Sequence, residues 1–383
     1  MNRILIVMAM VAALVGCSHS GKAQEENMAA GTTAVGTDSV PGAFTVGRTV
    51  DVAAEKPLTL AFVGDIMMGT TYPEDGHYLT RDDGATLFAD TDSILRSADI
   101  AAGNLEGSLF DGKGTVKKCS DPSICFAFKM PTRYARHLVD AGFDFVGIAN
   151  NHINDFGPEA VASTQKVLKE NGIAFAGLRR DCPTAIVERD GRKIGFAAFG
   201  HSMGTLSIMD YEEVERTVKG LRDSCDFVVV SFHGGGEGQK FQHVPHAMEQ
   251  AFGEQRGDVE KFAHKAVDAG ADIVYGHGPH VNRAIELYDG HLIIYSLGNF
   301  CTPYRMGLSG VSGYAPVVTA TLNPDGTFAE GKIHSFIQQK GVGPRKDPTN
   351  AVARNIRTLT KADFPSTPLT ISDTGEIRLE TKK

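Results

Sequence analysis

The chain has 383 residues, of which 42% are hydrophobic and 22% are charged, and its formal net charge is −8 at pH 7. This composition is that of a globular protein with one large α/β domain or two average domains. Because the net charge is negative and no long run of Lys or Arg is present, nucleic-acid binding is set aside.

The N-terminal residues have the pattern of an export signal. Met1–Arg3 form a short positive start, and Ile4–Val15 are apolar and uncharged. This run is too short to cross a bilayer as a helix, but it has the length of a signal-peptide core. It ends in Leu14-Val15-Gly16-Cys17, which resembles the lipobox of bacterial lipoproteins. The resemblance implies cleavage before Cys17 and a lipid anchor on that residue; an ordinary secretory signal that contains a Cys is the alternative.

Residues 18–56 are predicted to be a flexible tether between this anchor and the folded body. Gly, Ser, Ala, Thr and Glu dominate the segment, and it has no apolar period. We therefore expect an exported, membrane-anchored lipoprotein. Ser18 follows the Cys, which implies the periplasmic face of the outer membrane in a diderm cell; in a monoderm cell the anchor implies the cell surface.

Export changes the expected state of the cysteines. Cys119 and Cys125 flank a loop that contains a proline, and we predict a disulfide between them. Cys182, Cys225 and Cys301 lie in or beside apolar runs. A second bridge among these three and buried free thiols both remain open.

From Leu58 onward, short apolar runs alternate with amphipathic stretches. The predicted elements of the first half are, in chain order, a strand at Leu58–Val63, a helix at Leu87–Leu95, a strand at Ile100–Ala102, a helix at Tyr134–Ala141, a strand at Phe143–Ala149 and a helix at Glu159–Glu170. This order predicts a largely parallel sheet with helices on its faces.

The second half adds hairpins, because three Asp-Gly pairs lie between apolar runs. The predicted hairpins join Ala185–Glu188 to Lys193–Phe199, Ile285–Tyr288 to His291–Tyr295, and Val317–Leu322 to Gly331–Ile337. Strands are also predicted at Asp226–Phe232 and Asp272–Tyr275, with a helix at Val259–Ala269 between them. We assign residues 57–340 to the folded domain and the polar residues 341–383 to a C-terminal tail.

Nearly every predicted strand is followed by polar residues of the types that bind metals. These residues are Asp65, Asn104, Glu106, Asn150, Asn151, His152, His233, Glu237, His277, His280 and Asn299. A lone Asp after a strand is more often a turn residue, but six such strand ends favour a shared site. Ligands bind at the carboxyl ends of parallel strands, so we expect these side chains to meet at one edge of the sheet, around one or two metal ions. Carboxylate, amide and imidazole ligands suit Mn, Fe or Zn.

The same motifs, in this order, resemble those of the CapA family of capsule and poly-γ-glutamate biosynthesis proteins. The matching segments are Val63–Met67, Gly103–Gly107, Ala149–Gly157, His233–Glu237, Gly276–Val281 and Tyr295–Phe300. That family is related to the calcineurin-like metallophosphoesterases. The resemblance implies an α/β fold in which two mixed sheets form a sandwich flanked by helices.

The resemblance also implies roles for individual residues. The implied metal ligands are Asp65, Glu106, Asn151, His233, His277 and His280. His152 would protonate the leaving oxygen. Asp155 would orient the imidazole of His152, with a helix N-cap as the alternative role. Asn104, Glu237 and Asn299 are further candidate site residues, and Glu237 remains open as a ligand, a base or a surface carboxylate.

Three departures from the metallophosphoesterase pattern leave the number of metal ions open. The second motif normally supplies a bridging Asp after Gly, and here Asn104 and Glu106 are the only candidates. Met67 stands where the Asp-x-His motif has its histidine. One extra residue separates His277 from His280 in the closing Gly-His-x-His motif.

Two function classes follow from these observations. The first is a metal-dependent hydrolase that acts on a phosphoester or an amide-linked cell-envelope polymer during capsule or polyglutamate biosynthesis or processing. The second is a non-catalytic envelope component that binds an anionic polymer or assists its export beside polymer-synthesis partners. Asn151 and His152 favour the first class, and Met67 favours the second. A solute-binding protein is less favoured, because a ligand clamp does not require so many histidines and carboxylates.

Overall fold

The computed structural model describes residues 56–73, 76–118 and 125–380, which all belong to one unit, Val50–Lys383. The expected signal sequence, the lipobox with Cys17 and nearly all of the predicted tether lie outside the described residues.

The described part of the chain contains six α-helices. They are α1 (Asp92–Ser97), α2 (Ala135–Ala141), α3 (Pro158–Glu170), α4 (Tyr211–Arg222), α5 (Val259–Asp268) and α6 (Ala351–Asp363). Short 3-10 turns lie at Thr132–Tyr134, Gln239–Phe241 and Gly310–Gly313. Within the described ranges, no helix combines the length and the apolar character that a membrane span requires.

The same residues form twenty-two strands. They are β1 (Leu58–Ile66), β2 (Ile100–Leu105), β3 (Ser108–Leu109), β4 (Lys129–Met130), β5 (Phe145–Gly147), β6 (Ala174–Ala176), β7 (Thr184–Arg189), β8 (Arg192–Gly200), β9 (Leu206–Ser207), β10 (Phe227–His233), β11 (Glu249–Ala251), β12 (Glu254–Gly257), β13 (Ile273–His277), β14 (Ile285–Tyr288), β15 (His291–Ile294), β16 (Asn299–Cys301), β17 (Val317–Leu322), β18 (Phe328–His334), β19 (Phe336–Gln339), β20 (Gly343–Lys346), β21 (Leu369–Ile371) and β22 (Glu376–Leu379).

Most of the strands belong to two mixed sheets. The first sheet has nine strands in the order β21-β22-β18-β17-β1-β2-β5-β6, with β16 also paired to β1. The second has seven strands in the order β14-β15-β13-β10-β8-β7, with β9 also paired to β8. Neighbouring strands are parallel from β1 to β6 in the first sheet and from β8 to β15 in the second.

The two sheets pack face to face, and alternate residues of the strands explain why. In β1, Leu60 and Phe62 point into the core between the sheets, where Phe196 and Val229 of the second sheet meet them. Ala61 points to the opposite face, which α1, α2 and α3 cover. Helices α4 and α5 cover the outer face of the second sheet in the same way. This alternation follows the two-residue period of a strand, and it confirms the predicted sandwich of two mixed sheets flanked by helices.

The predicted hairpins are present at the Asp-Gly pairs. Strands β7 and β8 pair across Asp190-Gly191, and β14 and β15 pair across Asp289-Gly290, with positive φ at all four turn residues. Such φ values are what a two-residue hairpin turn requires. Strands β17 and β18 form the third hairpin, but the predicted second strand, Gly331–Ile337, is divided between β18 and β19.

The predicted helix at Leu87–Leu95 is partly wrong. Residues 81–91 form a series of turns, and α1 begins only at Asp92. Gly84 has φ of +88°, outside the helical region, and the amide of Leu87 donates to the carbonyl of Gly84 three residues back. The apolar spacing of Leu87 and Phe88 instead places both side chains in the core beside α2.

The residues after 340 are not a tail outside the folded domain. Helix α6 buries Val352, Ala353 and Ile356 in the core between the sheets, and β21 and β22 extend the first sheet. The buried residues lie on one stripe of the helix, so a segment that is polar on average still has an apolar face. The folded unit therefore continues through residue 380.

The described cysteines are of two kinds, one that is disulfide-bonded and three that are free thiols. Cys125 is disulfide-bonded. The predicted pairing with Cys119 stays a prediction, because Cys119 lies outside the described residues. Cys182, Cys225 and Cys301 are free thiols.

Candidate metal centre

The polar side chains at the ends of the strands meet between the two sheets, at the carboxyl ends of the parallel strands. The expected position was one edge of a single sheet. Asp65 lies near the end of β1 in the first sheet. The other residues contributed by the first sheet are Glu106, Asn151 and His152, and those contributed by the second sheet are His233, His277 and His280. Strand β16 holds the two edges together, because it follows the second-sheet hairpin yet pairs with β1.

A close approach of two backbones fixes the position of Asp65. The Asp65 amide donates to the carbonyl of Gly298 over 2.9 Å. A Cβ on Gly64 would lie 1.9 Å from the same carbonyl oxygen, so only glycine fits at that position. The turn before β16 therefore holds the Asp65 carboxylate at the junction of the sheets.

Asp65 belongs to two groups of residues that could hold a metal ion. One group is Asp65 with His233 and His277, and the other is Asp65 with Glu106 and His280. Its Oδ1 lies 3.8 Å from Nδ1 of His277, and its Oδ2 lies 2.9 Å from Nδ1 of His280. Each oxygen of one buried carboxylate thus faces a different group.

The imidazoles of His233 and His277 lie side by side because β10 and β13 are parallel and in register at these residues. Their Nδ1 atoms are 3.0 Å apart, and Nε2 of His277 lies 3.0 Å from Oγ of Ser231. Burial lowers the pKa of His277 to about 4 and the pKa of His233 well below its ordinary value, with the neighbouring imidazole lowering the latter further. Both side chains are therefore neutral, the form in which imidazole binds metals.

Glu106 and His280 complete the second group. Burial, and then the charge of Asp65, raise the pKa of Glu106 well above its ordinary value. Oε1 of Glu106 has no hydrogen-bond partner and lies 3.7 Å from Nε2 of His280. Burial alone would lower the pKa of His280, but Glu106 and the hydrogen bond to Asp65 raise it to about 10. Burial alone would raise the pKa of Asp65, but the hydrogen bond and the charge of His280 lower it below its ordinary value.

A chain of side-chain amides orients the first-sheet residues. Nδ2 of Asn104 donates to Oδ1 of Asp65 over 2.8 Å, and Oδ1 of Asn104 accepts from Asn150 over 3.0 Å. Oδ1 of Asn150 in turn accepts from the amide of His152 over 3.1 Å. Asn104 thus presents a donor to Asp65, which suits a positioning residue better than a metal ligand. Asn151 is half-buried, and its Oδ1 has no hydrogen-bond partner.

The structure brings His152 and Asp155 together. Nδ1 of His152 lies 2.7 Å from Oδ2 of Asp155, which also accepts from the Phe128 amide over 2.8 Å. Lys117 pairs with the other oxygen of Asp155 at 2.7 Å. The N-cap of α3 is Gly157, so the alternative role of Asp155 as an N-cap is excluded. With Nδ1 engaged, Nε2 of His152 faces Oε1 of Glu106 at 3.7 Å.

Glu237 and Asn299 both lie beside His280. Oε2 of Glu237 is 3.9 Å from Nε2 of His280, while its Oε1 accepts from Arg256 over 2.6 Å. Asn299 donates from Nδ2 to the carbonyls of His280 and Ser312, over 3.3 and 3.2 Å. His280 has φ of +57°, which few non-glycine residues adopt, so these contacts hold a strained residue in place.

The donor set fits a divalent transition metal. The buried atoms without hydrogen-bond partners include Oε1 of Glu106, Oδ1 of Asn151 and Nε2 of His233. Buried polar atoms are nearly always paired, so these unpaired oxygen and nitrogen atoms are available as ligands for a cation. Mixed carboxylate, amide and imidazole ligands suit Mn, Fe or Zn.

A family model described as bacterial capsule synthesis protein PGA_cap matches residues 59–304, which include every member of both candidate groups. The chain belongs to this family. The motif resemblance noted in the sequence is thereby confirmed.

Two curated relatives agree with the family. The capsule biosynthesis protein CapA of Bacillus anthracis is 29% identical over 342 residues, which cover 82% of this chain and 77% of that protein. The PGA biosynthesis protein CapA of Bacillus subtilis is 30% identical over 268 residues, covering 66% of this chain and 65% of that protein. Among solved structures, a 5'-nucleotidase precursor from Thermus thermophilus aligns with 76% of this chain and 56% of its own, at 12% identity and a TM-score of 0.45.

Met67 is the residue of this PGA_cap-family chain that stands where the Asp-x-His motif has its histidine. Met67 is fully buried, and its amide donates to the carbonyl of Cys301 over 2.9 Å. A thioether in the core offers no ligand comparable to imidazole. The group that contains Glu106 and His280 therefore relies on three residues, of which two are carboxylates.

Sequence reasoning missed three residues of the site. His201 follows β8, is 3% exposed, and lies with Nδ1 3.3 Å from the carbonyl of His233. Burial, and then the charge of Arg256, lower the pKa of His201 to about 4. The strand-end rule that found His233 applies equally to His201 and was the available signal. Ser231 is hidden inside a strand, and Arg256 lies on β12, a short strand whose polar residues give no strand pattern.

Proposed function

We propose that this chain is a metal-dependent hydrolase that acts on an anionic cell-envelope polymer during capsule or poly-γ-glutamate biosynthesis or processing. The single observation that carries the proposal is the double membership of Asp65, one buried carboxylate whose two oxygens face two groups of candidate ligands. The family, whose relatives are named for capsule and PGA biosynthesis, supplies the polymer.

Two divalent ions would be held by the two groups. Asp65, Glu106 and His280 would hold one ion, and Asp65, His233 and His277 the other, with the free Oδ1 of Asn151 as an added ligand. Ions bound in this way lower the pKa of a bound water and neutralise charge on substrate oxygens.

His152 is the residue placed to move a proton. Asp155 accepts the hydrogen bond from Nδ1, which fixes the tautomer and orientation of the ring. The opposite nitrogen, Nε2, faces the centre. When the ring is protonated on both nitrogens, Nε2 would donate its proton to the leaving oxygen and leave the neutral ring with its hydrogen on Nδ1. Phe128 packs on the imidazole with ring centroids 4.4 Å apart, which further limits its rotation and keeps water from that face.

Metal analysis combined with activity screening tests the proposal. The full-length protein is assayed for bound transition metal and for hydrolysis of phosphoester and γ-glutamyl substrates, with and without Mn²⁺. Asp65→Asn is the test variant, and Asp223→Asn, at an exposed position on the C-cap of α4, is the matched control. The proposal predicts metal binding and hydrolysis that Asp65→Asn abolishes and Asp223→Asn retains. A wild-type protein that binds no transition metal would refute it.

The alternative function is a non-catalytic component that binds the polymer or assists its export with polymer-synthesis partners. Met67 favours it, because one metal ligand of the usual phosphoesterase pattern is absent. The test is complementation in cells: His152→Ala abolishes polymer processing under the hydrolase proposal and leaves the biological role intact under the alternative.

We also propose that Cys17 carries a lipid anchor that keeps the chain on the membrane after export. The support is the lipobox-like sequence before Cys17. Replacement Cys17→Ser is expected to move the protein from the membrane fraction to the soluble fraction. An unchanged membrane fraction for this variant contradicts the anchor.

A further inference from the structure

A cavity of about 730 Å³ lies between loops that also carry residues of the candidate centre. Its walls come from the start of α3, the loop after β6 and the loop after β8, and they include Asn154, Val161, Leu178, Arg180 and Met203. Volumes of this size are typical of sites that bind small ligands or segments of larger ones.

The walls of the cavity continue the loops that carry the site residues. Asn154 belongs to the same loop as His152, and its Nδ2 donates to the carbonyl of Met203 on the facing wall over 3.2 Å. Ser202, another lining residue, follows His201, whose ring centroid is 5.7 Å from that of His233. The cavity and the candidate centre therefore share two loops, one with His152 and Asn154 and one with His201 and Ser202.

The cavity differs from the centre in its charge. The centre contains several carboxylates, whereas the cavity has two arginines and one aspartate, Asp181, in its walls. Arg179 is committed to Glu213, with a distance of 2.9 Å between Nη2 and Oε2. Arg180 is exposed and makes no ion pair or hydrogen bond with any residue that the structure describes. The cavity thus has one uncommitted cation at its surface.

The apolar part of the walls matches a chain that has methylene groups between its charges. Val161 and Leu178 line the cavity, and the Met203 side chain is 90% exposed beside them. An exposed methionine is an adaptable apolar surface that accepts flexible ligands.

We propose that this cavity is a subsite for the polymer units next to the one held at the metal centre, with Arg180 pairing with their anionic groups. The proposal rests on the proposed function, because it assumes that one unit of the polymer is bound at the candidate centre. It assigns the chain a preference for long anionic polymers over short fragments. Carboxylates of a γ-linked glutamate chain and phosphates of a phosphodiester chain share the chemistry that Arg180 recognises.

The test is the dependence of binding on chain length. Calorimetry of the full-length protein measures the affinity for a long γ-glutamate oligomer, for the γ-glutamyl dipeptide and for inorganic polyphosphate, with and without Mn²⁺. The variants are Arg180→Glu and Arg180→Gln. The control is Arg136→Glu, on the exposed face of α2, where the arginine side chain is 70% exposed. Mn²⁺ affinity is measured for each.

The expected result is that the long oligomer binds more tightly than the dipeptide and that Arg180→Glu weakens its binding by roughly tenfold, the scale of one exposed charge pair reversed in sign. Arg180→Gln is expected to have a smaller effect, and Arg136→Glu none. Tighter binding of polyphosphate than of the glutamate oligomer supports the same subsite with phosphate as its ligand.

Equal binding of long and short ligands, or an equal loss in Arg136→Glu, overturns the subsite. The two proposals fail separately. If the length effect depends on Arg180 but no Mn²⁺ binds, the subsite stands and the hydrolase does not. If Mn²⁺ binds and length has no effect, only the subsite falls.

Discussion

The two sheets of the sandwich contribute different chemistry to the candidate centre. The first sheet contributes the candidate oxygen ligands Asp65, Glu106 and Asn151, whereas the strands of the second contribute imidazoles. Each group of candidate ligands nevertheless has members from both sheets. Neither sheet alone therefore has a complete candidate group, and the centre depends on how the sheets are placed against each other.

The largest effect is expected for Asp65→Asn, because Asp65 is the residue that both groups share. We expect loss of both ions and a fall in hydrolysis of about 10³-fold, since metal ions contribute several kcal/mol to such reactions. Elemental analysis and steady-state kinetics measure the two losses. Retention of one ion by the variant would show that the groups are independent of Asp65.

Variants of one group at a time separate the two sides of the centre. Glu106→Gln removes an oxygen ligand of the first sheet, and His233→Ala removes an imidazole of the second. Each variant is expected to keep one ion of two, as measured by Mn²⁺ titration, because the other group retains its three members. A loss of both ions from either variant would mean that the two ions bind only together.

His152→Ala separates proton transfer from metal binding. We expect turnover to fall by about 10²- to 10⁴-fold, the usual contribution of a general acid, while the metal content stays that of the wild type. Asp155→Asn is expected to cause a smaller loss, because the ring is still packed against Phe128. If the metal content of His152→Ala falls together with its turnover, His152 acts as a ligand and not as the acid.

Ser231→Ala tests the second sheet through a residue that supports a ligand. Ser231 lies 3.0 Å from Nε2 of His277, and partners of this kind change metal affinity by about 10- to 100-fold. The control is Ser335→Ala, a buried serine that accepts a hydrogen bond from the Ala353 amide far along the chain. Equal metal affinities in the two variants would contradict a supporting role for Ser231.

The smallest effect concerns a pair outside the centre, His264 on α5 and Glu286 on β14, whose Nε2 and Oε2 are 2.9 Å apart. Burial alone would lower the pKa of His264, but Glu286 raises it above its ordinary value of 6.5, with Glu260 and Asp268 adding to the shift. The stabilisation is present below pH 6.5 and is lost as the pH rises through the folded-state pKa.

For this pair we expect Glu286→Gln to destabilise the protein more at pH 5.5 than at pH 9, and therefore to lower the melting temperature more at pH 5.5. The difference in the free energy of unfolding is about 1 kcal/mol or less for this partly buried pair. Thermal melts of both proteins with metal removed measure it. An equal effect at both pH values would show that the pair does not titrate as described.

The local parts of the fold were readable from the sequence. The Asp-Gly turns indicated two hairpins that the structure contains, and the predicted helix at Glu159–Glu170 matches α3 except for Pro158 at its start. Helix α4 was missed although Val214, Val218 and Leu221 lie on one face, because charged residues fill the rest of the segment. The crossing of β16 to the first sheet depends on pairing between distant segments, which no local pattern contains.

The sequence predicted most residues of the candidate site, but it did not predict how they are arranged. Most of the residues were found because they follow predicted strands. A single polar residue there is often part of a turn, but turns alone do not explain polar residues at the ends of six strands. The sharing of Asp65 between two groups follows from the relative placement of two sheets, and the sequence of neither sheet encodes it. The orientation of Asn104, which presents its amide donor to Asp65, likewise depends on Asn150.

The hydrogen bond between His280 and Asp65 joins residues that are 215 positions apart in the chain. Contacts between such distant residues form late in folding, because the intervening chain must first be ordered. Both candidate groups contain residues from each end of this interval, so neither group is complete until the chain has been synthesised past His277 or His280. An ion bound by either group would therefore be taken up where folding finishes, and the metal supply at that place, as well as intrinsic affinity, would decide which one is incorporated.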